Sequence, residues 1–257
     1  MGSFYYSQFF YDRYLDGFSI SSASGSDTLT ISAGVCADST NTVMMRGGAL
    51  VKTLSSPWTA GNNNAGGFVS SSASTWYHIF AILKTADQTV DYGFDSSLTA
   101  ANIVSGYQYY RRIGSFLTNG SNIITPYFGY GDLFLWYNPI IDVNGVTNFG
   151  TSAVTRTLSV PTGVRVQAIY TGRIRNPTSG DVCYVSSMDQ DDLAANYSVL
   201  AMGGIAAGAA LAGNVGPYTV LTNTSQQIRT RCTQGDINTN LYIQTNGWYD
   251  FRGKDNQ

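Results

Sequence analysis

The stretch whose reading decides the fold runs from Thr75 to Phe116: TWYHIFAILKTADQTVDYGFDSSLTAANIVSGYQYYRRIGSF. In its first segment Trp76, His78, Phe80 and Ile82 fall on one face of a strand, and Tyr77, Ile79, Ala81 and Leu83 fall on the other. Both faces are apolar, so this strand is expected to be central and buried between two layers. Ala86–Asp87–Gln88 supplies a turn, after which Val90, Tyr92 and Phe94 share one face of a returning strand. Asp95–Ala101 reads as a polar crossover with room for one helical turn capped by Asp95 or Ser96, and β structure resumes over Tyr107–Phe116.

Outward from this block the chain continues as strands punctuated by turns. On the N-terminal side Leu29 and Ile31 alternate with Thr28, Thr30 and Ser32, Val43–Met45 opens an apolar segment, and Ala49–Leu54 is a further strand. Gly61–Gly67 (GNNNAGG) reads as loop, because Gly and Asn tolerate positive φ and supply no core. On the C-terminal side Asn119–Gly120 is a hairpin signal, Leu133–Tyr137 is a buried strand, and Asn138–Pro139 and Asn144–Gly145 read as turns. Further strands are expected at Val154–Val160, Val164–Tyr170, Val182–Val185, Tyr197–Met202, Tyr218–Thr222, Gln227–Thr233, Asn240–Thr245 and Trp248–Arg252. Met188–Ala195 is the best helix candidate, and it is short. This spacing predicts an all-β chain built as an antiparallel β-sandwich or jelly roll, in one domain or two packed β-domains. The boundaries drawn are an aromatic N-terminal arm at 1–17, a β-sandwich module at 18–137 and a second β-rich half at 138–257, continuous with the first or packed on it.

Composition narrows the function classes. Charged residues make up only 12% of the 257 residues, about half the usual share, while Tyr alone contributes 18 side chains. A net charge of −2 offers no basic footprint for nucleic acid. So little charge with so much Tyr, Asn, Ser and Thr suits a protein held in a large assembly or one that meets carbohydrate. Gly203–Gly213 is too short to cross a bilayer, which takes about 20 apolar residues, and the first residues do not read as a signal peptide. Membrane insertion is not expected.

Chemistry-bearing residues are sparse. The single histidine, His78, sits inside the two-faced apolar strand and reads as a hydrogen-bonded core residue rather than a catalytic base. Cys36, Cys183 and Cys232 form no CxxC pair and no zinc spacing, and read as buried thiols. Every acidic residue is Asp; Asp189, Asp191 and Asp192 lack the glycine and distal glutamate of a calcium loop and read as a solvated turn. Arg111 and Arg112 point to opposite faces of their strand, and one of them is expected to pair with Asp91 or Asp132. No catalytic, metal or cofactor residue is assigned, and no enzymatic activity is expected. Working contacts are sought instead in the arm, at Phe4, Tyr5, Tyr6, Phe9, Phe10, Tyr11 and Tyr14, and in loops, at Asn62, Asn63, Asn64, Tyr127 and Tyr130.

The phrases TWYHIFAI, VDYGFDSSLTAANI and GYQYYRRIGSF, preceded by DTLTISAGVCADSTNTVMM and the glycine-rich loop, resemble a segment of tailed-bacteriophage virion proteins, especially tail-fibre and related appendage or decoration proteins. The resemblance spans about residues 18–137 and identifies a structural module rather than one activity. It implies a β-sandwich in a homo-oligomeric, often trimeric, virion appendage, made in the host bacterial cytoplasm and carried on the virion. Its partners would be copies of itself, other virion proteins and host surface glycans. The chain lacks the heptads or collagen-like shaft of a long fibre. A short fibre, tail-tip or appendage protein anchored by the arm is the reading this favours; a capsid decoration or head-fibre protein, or a host-glycan receptor-binding module, is the alternative.

Overall fold

The computed structural model describes residues 12–147, 150–175, 181–196, 205–207, 212–233 and 238–254. Among them every regular element is a strand and none is a helix. The chain divides into two compact units: unit 1 takes the residues up to Asp132 and those from Phe251 onward, and unit 2 is Leu133–Asp250. The boundary expected after residue 137 therefore moves to Asp132, and the last residues belong with the first unit, not the second.

Unit 1 holds β1 (Leu15–Gly17), β2 (Ile20–Ser22), β3 (Thr28–Ile31), β4 (Gly34–Ala37), β5 (Met44–Gly47), β6 (Leu50–Thr53), β7 (Asn64–Ala65), β8 (Trp76–Lys84), β9 (Val90–Asp95), β10 (Tyr107–Leu117) and β11 (Tyr127–Tyr130). They pair in the orders β1-β4-β5, β10-β8-β9 and β11-β2-β3-β6-β7; β5 packs on β8 and β9, and β6 on β9. Leu15–Gly17 pairs with β4, so the expected arm of residues 1–17 ends in a strand of the unit. As the two apolar faces require, β8 is buried from Trp76 to Leu83 and lies between its neighbours. Phe80, Tyr92, Phe94 and Phe116 are fully or almost fully buried around it, each worth about 2 kcal/mol of transfer free energy. Asp95 caps a turn rather than a helix: its carboxylate accepts from the Ser97 N–H at 3.1 Å and the Asn102 N–H at 2.9 Å.

The glycine-rich loop contains the short strand β7, parallel to β6. Asn63 and Gly66 donate backbone N–H groups to the carbonyls of Val51 and Thr53, so the segment lies along β6 as an added edge. Gly66 permits this because a Cβ there would stand 2.2 Å from the Phe94 ring.

Unit 2 holds β12 (Leu133–Thr147), β13 (Val154–Thr157), β14 (Gln167–Arg175), β15 (Asp181–Ser187), β16 (Ile205–Ala207), β17 (Ala212–Leu221), β18 (Gln227–Cys232) and β19 (Asn240–Tyr249). Two sheets, β17-β14-β19-β12 and β13-β18-β15-β16, pack through contacts of β14 and β17 with β15 and β16. Phe134 and Trp248 stack at 5.4 Å between ring centroids, and Trp136 joins them at 5.0 Å. The strand expected at Tyr197–Met202 lies outside the described residues.

Two turn readings and one gap between expected strands are corrected. Pairing of β12 with β19 jumps from Leu135↔Gly247 to Ile140↔Thr245, so Asn138–Pro139 is absorbed in an irregularity where proline's missing N–H costs no ladder bond. Gly145, at φ +66°, sits in another register shift of the same strand. Asn246–Gly247 joins the two strands expected on either side of it into β19, and a Cβ on Gly247 would lie 2.1 Å from the Phe134 carbonyl oxygen. The expected helix at Met188–Ala195 is a turn followed by irregular chain. Arg229 and Arg231 take the carbonyls of Gln190 and Asp192 that a helix would have used, and Leu193 stays exposed.

Unit 1 closes where the chain re-enters it. The buried Arg252 donates Nε and Nη2 to Asp132 at 3.1 and 3.0 Å, and Nη1 to the carbonyls of Gly17 and Phe18 at 3.2 and 3.3 Å. Lys254 adds a second cation to Asp132 at 2.8 Å. Arg111 donates to the Arg252 carbonyl at 2.9 Å, while Arg112 donates to Ser115. Asp91 and Asp132, the carboxylates expected for this arginine pair, are engaged by Lys52 and by Arg252 with Lys254. Replacing Arg252 by Met should lower stability by about 2 kcal/mol, because the carbonyls of Gly17 and Phe18 lose a donor and the partly exposed Asp132 keeps only Lys254. Urea unfolding followed by tryptophan fluorescence checks this; an unchanged midpoint would show that the clamp contributes nothing.

Candidate functional site

Several expected contact residues take structural roles. Phe4, Tyr5, Tyr6, Phe9, Phe10 and Tyr11 lie outside the described residues. Tyr14 is 45% exposed, with its carbonyl accepting from the Ala37 N–H. Asn62, Asn63 and Asn64 are exposed, yet Asn62 Oδ1 accepts from the Val51 N–H at 2.7 Å and Asn64 donates to the Ala60 carbonyl. Their amides shape the loop. Tyr127 is corrected: strand alternation in β11, paired through Tyr127↔Ser22, turns it fully into the core. The same alternation turns Phe128 and Tyr130 outward, and Tyr130 is 80% exposed.

The loop is anchored by a buried ion pair that its sequence does not announce. Lys52 is fully buried, with Nζ 2.8 Å from Asp91, 2.9 Å from the Thr59 carbonyl and 4.9 Å from the centre of the Trp58 ring. Asp91 also accepts from the Gly61 N–H at 2.7 Å, and Trp58 Nε1 donates to the Tyr92 carbonyl at 2.7 Å. Burial pushes the lysine pKa down, and the hydrogen bond and charge of Asp91 push it back up. Enclosed on every side, the ammonium fastens the segment Trp58–Asn64 to β6 and β9.

His78 and Ser115 make a pair that resembles a base and its nucleophile, with Nδ1 2.9 Å from the Ser115 hydroxyl oxygen. The hydroxyl also accepts from Arg112 at 3.0 Å, and Ser115 and His78 are buried at 0% and 2% exposure. No carbonyl substrate reaches an oxygen so enclosed. Among the described residues no group of three His, Cys, Asp or Glu side chains is placed to hold a metal ion.

Unit 2 carries an open groove. The groove, of about 330 Å³, is lined by Ile141, Thr171, Gly172, Arg173, Gly216, Tyr242, Ile243 and Gln244. It forms where the register of β14 shifts, between Tyr170 and Gly172 against β17 and between Ile169 and Tyr170 against β19. Register then sets Arg173 beside Tyr242 and Thr171 beside Gln244. The exposed guanidinium of Arg173 lies 5.7 Å from the centre of the Tyr242 ring. Along the same surface Asn246 donates to Thr171 at 2.8 Å and Gln244 to Asn246 at 3.3 Å. Arg175, two residues beyond Arg173 on the strand, is also exposed. The groove residues include no carboxylate. Asp142, near them in sequence, bonds instead to Ser159 and Thr245, and burial raises its pKa against those hydrogen bonds. A guanidinium on an aromatic ring, flanked by amide and hydroxyl groups, can hold an anionic or polyhydroxylated ligand. Sequence reasoning missed this set because its members come from β12, β14, β17 and β19 and meet only through register.

Compared with known family models and with curated proteins, the chain matches none.

Replacing Lys52 by Met should cost about 3 kcal/mol by leaving Asp91 buried without its cation. The double change Lys52→Met with Asp91→Leu should recover most of that loss. Urea midpoints for the two single variants and the pair form a double-mutant cycle, and additive effects would mean that the pair does not couple.

Proposed function

We propose that this chain is a non-enzymatic structural component of a bacteriophage virion, a homo-oligomeric short fibre, tail-tip or appendage protein anchored through its N-terminal residues. The observation that carries the reading is the block from Asp27 to Phe116. Its phrases resemble those of virion appendage proteins, and in this chain the block forms the packed β core of unit 1. Supporting it are a surface supplied with few charges and a density of aromatic residues before Leu15 that needs a partner or a core to cover it. Decoration of the capsid is the neighbouring alternative, with the same architecture at another place on the particle.

A second reading, recognition of host-surface glycan, is favoured by the unit 2 groove. Arg173, Tyr242, Gln244 and Thr171 line it with the donors and ring that saccharides require.

Removing residues 1–11 should leave a folded protein, since the first strand among the described residues begins at Leu15, but one that no longer enters particles. Circular dichroism checks the fold and immunoblotting of purified particles checks incorporation; normal incorporation would overturn the anchoring role. If the groove binds glycan, Arg173→Ala should weaken binding of acidic host polysaccharide about tenfold or more while the fold persists. Equal retention of wild-type and variant protein on a polysaccharide array would remove the second reading.

A further inference from the structure

Cys183 on β15 and Cys232 on β18 are 49 residues apart in sequence and directly opposite in the antiparallel ladder. The ladder also says which kind of opposition this is. Thr233 donates its N–H to the Val182 carbonyl at 3.0 Å, which makes 182 and 233 the hydrogen-bonded pair. The adjacent pair, 183 and 232, is then the one without mutual hydrogen bonds, and the Cys232 N–H indeed turns away to the Gly150 carbonyl at 3.0 Å. In such a pair the Cα atoms stand about 4.5 Å apart with side chains on one face. A disulfide bridges Cα separations of about 4.4 to 6.8 Å, so the backbone already satisfies the covalent geometry. The sulfurs now face carbonyls, Cys232 Sγ toward Gly150 at 3.0 Å and Cys183 Sγ toward Tyr184 at 3.6 Å. Rotation of the two side chains away from these carbonyls is the movement that a bond between them would require.

We infer that Cys183 and Cys232 are a disulfide-competent pair, which closes to a cross-strand bond when the protein meets a disulfide oxidant of the oxidised-glutathione class. One cysteine, as thiolate, attacks a glutathione sulfur and releases one reduced glutathione, leaving a mixed disulfide on the protein. The partner thiolate then attacks the protein sulfur of that mixed disulfide and releases the second glutathione. Two protein thiols are oxidised, one glutathione disulfide is reduced, and both thiol protons end on glutathione or in solvent. Because both residues are buried, at 0% and 1% exposure, the reaction waits on opening of the β15–β18 ladder or occurs during folding. Cys36 is an internal control. It lies on β4 in unit 1 opposite Met45, and burial pushes its thiol pKa up to about 12.

The test uses the full chain in two arms, one folded and held in urea just below its unfolding transition, the other refolded from urea, both in a buffer of oxidised and reduced glutathione. After acid quenching, alkylation under denaturing conditions and peptide mass spectrometry should show the Cys183 and Cys232 peptides linked, with Cys36 alkylated. The linked protein should unfold at higher urea than the reduced protein, and that gain should vanish in Cys183→Ser and in Cys232→Ser. If both cysteines remain alkylatable in both arms, or carry glutathione without linking to each other, the inference is overturned. Links that involve Cys36 or a second molecule would overturn it as well.

Discussion

Unit 1 depends on one guanidinium. Arg252 arrives after the whole of unit 2 has been threaded, and it meets the carboxylate of Asp132 at which the chain left. It also ties down Gly17 and Phe18, two consecutive residues at positive φ, where the chain turns from β1 toward β2. Phe18 is a bulky residue in a left-handed conformation, a state that persists only when its surroundings over-determine it. Those surroundings are the Arg252 bond to its carbonyl and an edge-to-face contact with the Tyr92 ring, 6.0 Å between centroids. Backbone strain, ion pair and aromatic packing thus support each other where the chain re-enters unit 1.

Charge in this protein is scarce, and part of it is directed inward. Asp38, Lys52, Asp91, Asp95, Arg111, Asp250 and Arg252 are all buried, out of 30 charged side chains in the sequence. Asp38 organises its own turn by accepting from Thr40, Thr42 and Val43; burial raises its pKa, and these hydrogen bonds lower it further, to a net value below the usual carboxylate range. Buried ions of this kind specify geometry more than they add stability, since desolvation offsets much of their attraction. The charged residues that stay outside, Arg173 and Arg175 among them, are set in a surface rich in hydroxyl, amide and tyrosine groups.

The fold was legible in the sequence where local pattern and final environment agree. The two-faced apolar run of β8 could be read directly, because burial on both sides leaves no polar residue to alternate. Turn chemistry was less reliable. Asn138–Pro139, Asn144–Gly145 and Asn246–Gly247 carry residues that suit a reversal of the chain, and the same residues suit an irregular position inside a long strand. Which outcome wins is decided by the partner strand, and that information is not local. Lys52 was illegible for a related reason: in LVKT it alternates as a solvent-facing residue would, and only Asp91, Thr59 and Trp58, brought up by the loop, make an interior for it. Tyr127 misled in the other direction, since the glycines near it suggested a loop while pairing with Ser22 placed it in a strand.

The meeting of residue 252 with residues 17 and 18, and of Arg111 with the carbonyls of both Arg13 and Arg252, has a mechanical consequence. A tension applied to the chain at its two described ends is borne first across these few hydrogen bonds. Beyond β1 and its pairing with β4, the chain from Ser19 to Asp250 lies on a closed contour between them, outside the load path while the bonds hold. Arg252 therefore acts as a short circuit for force, and the segment from Leu133 to Asp250 feels a pull only after that contact has given way.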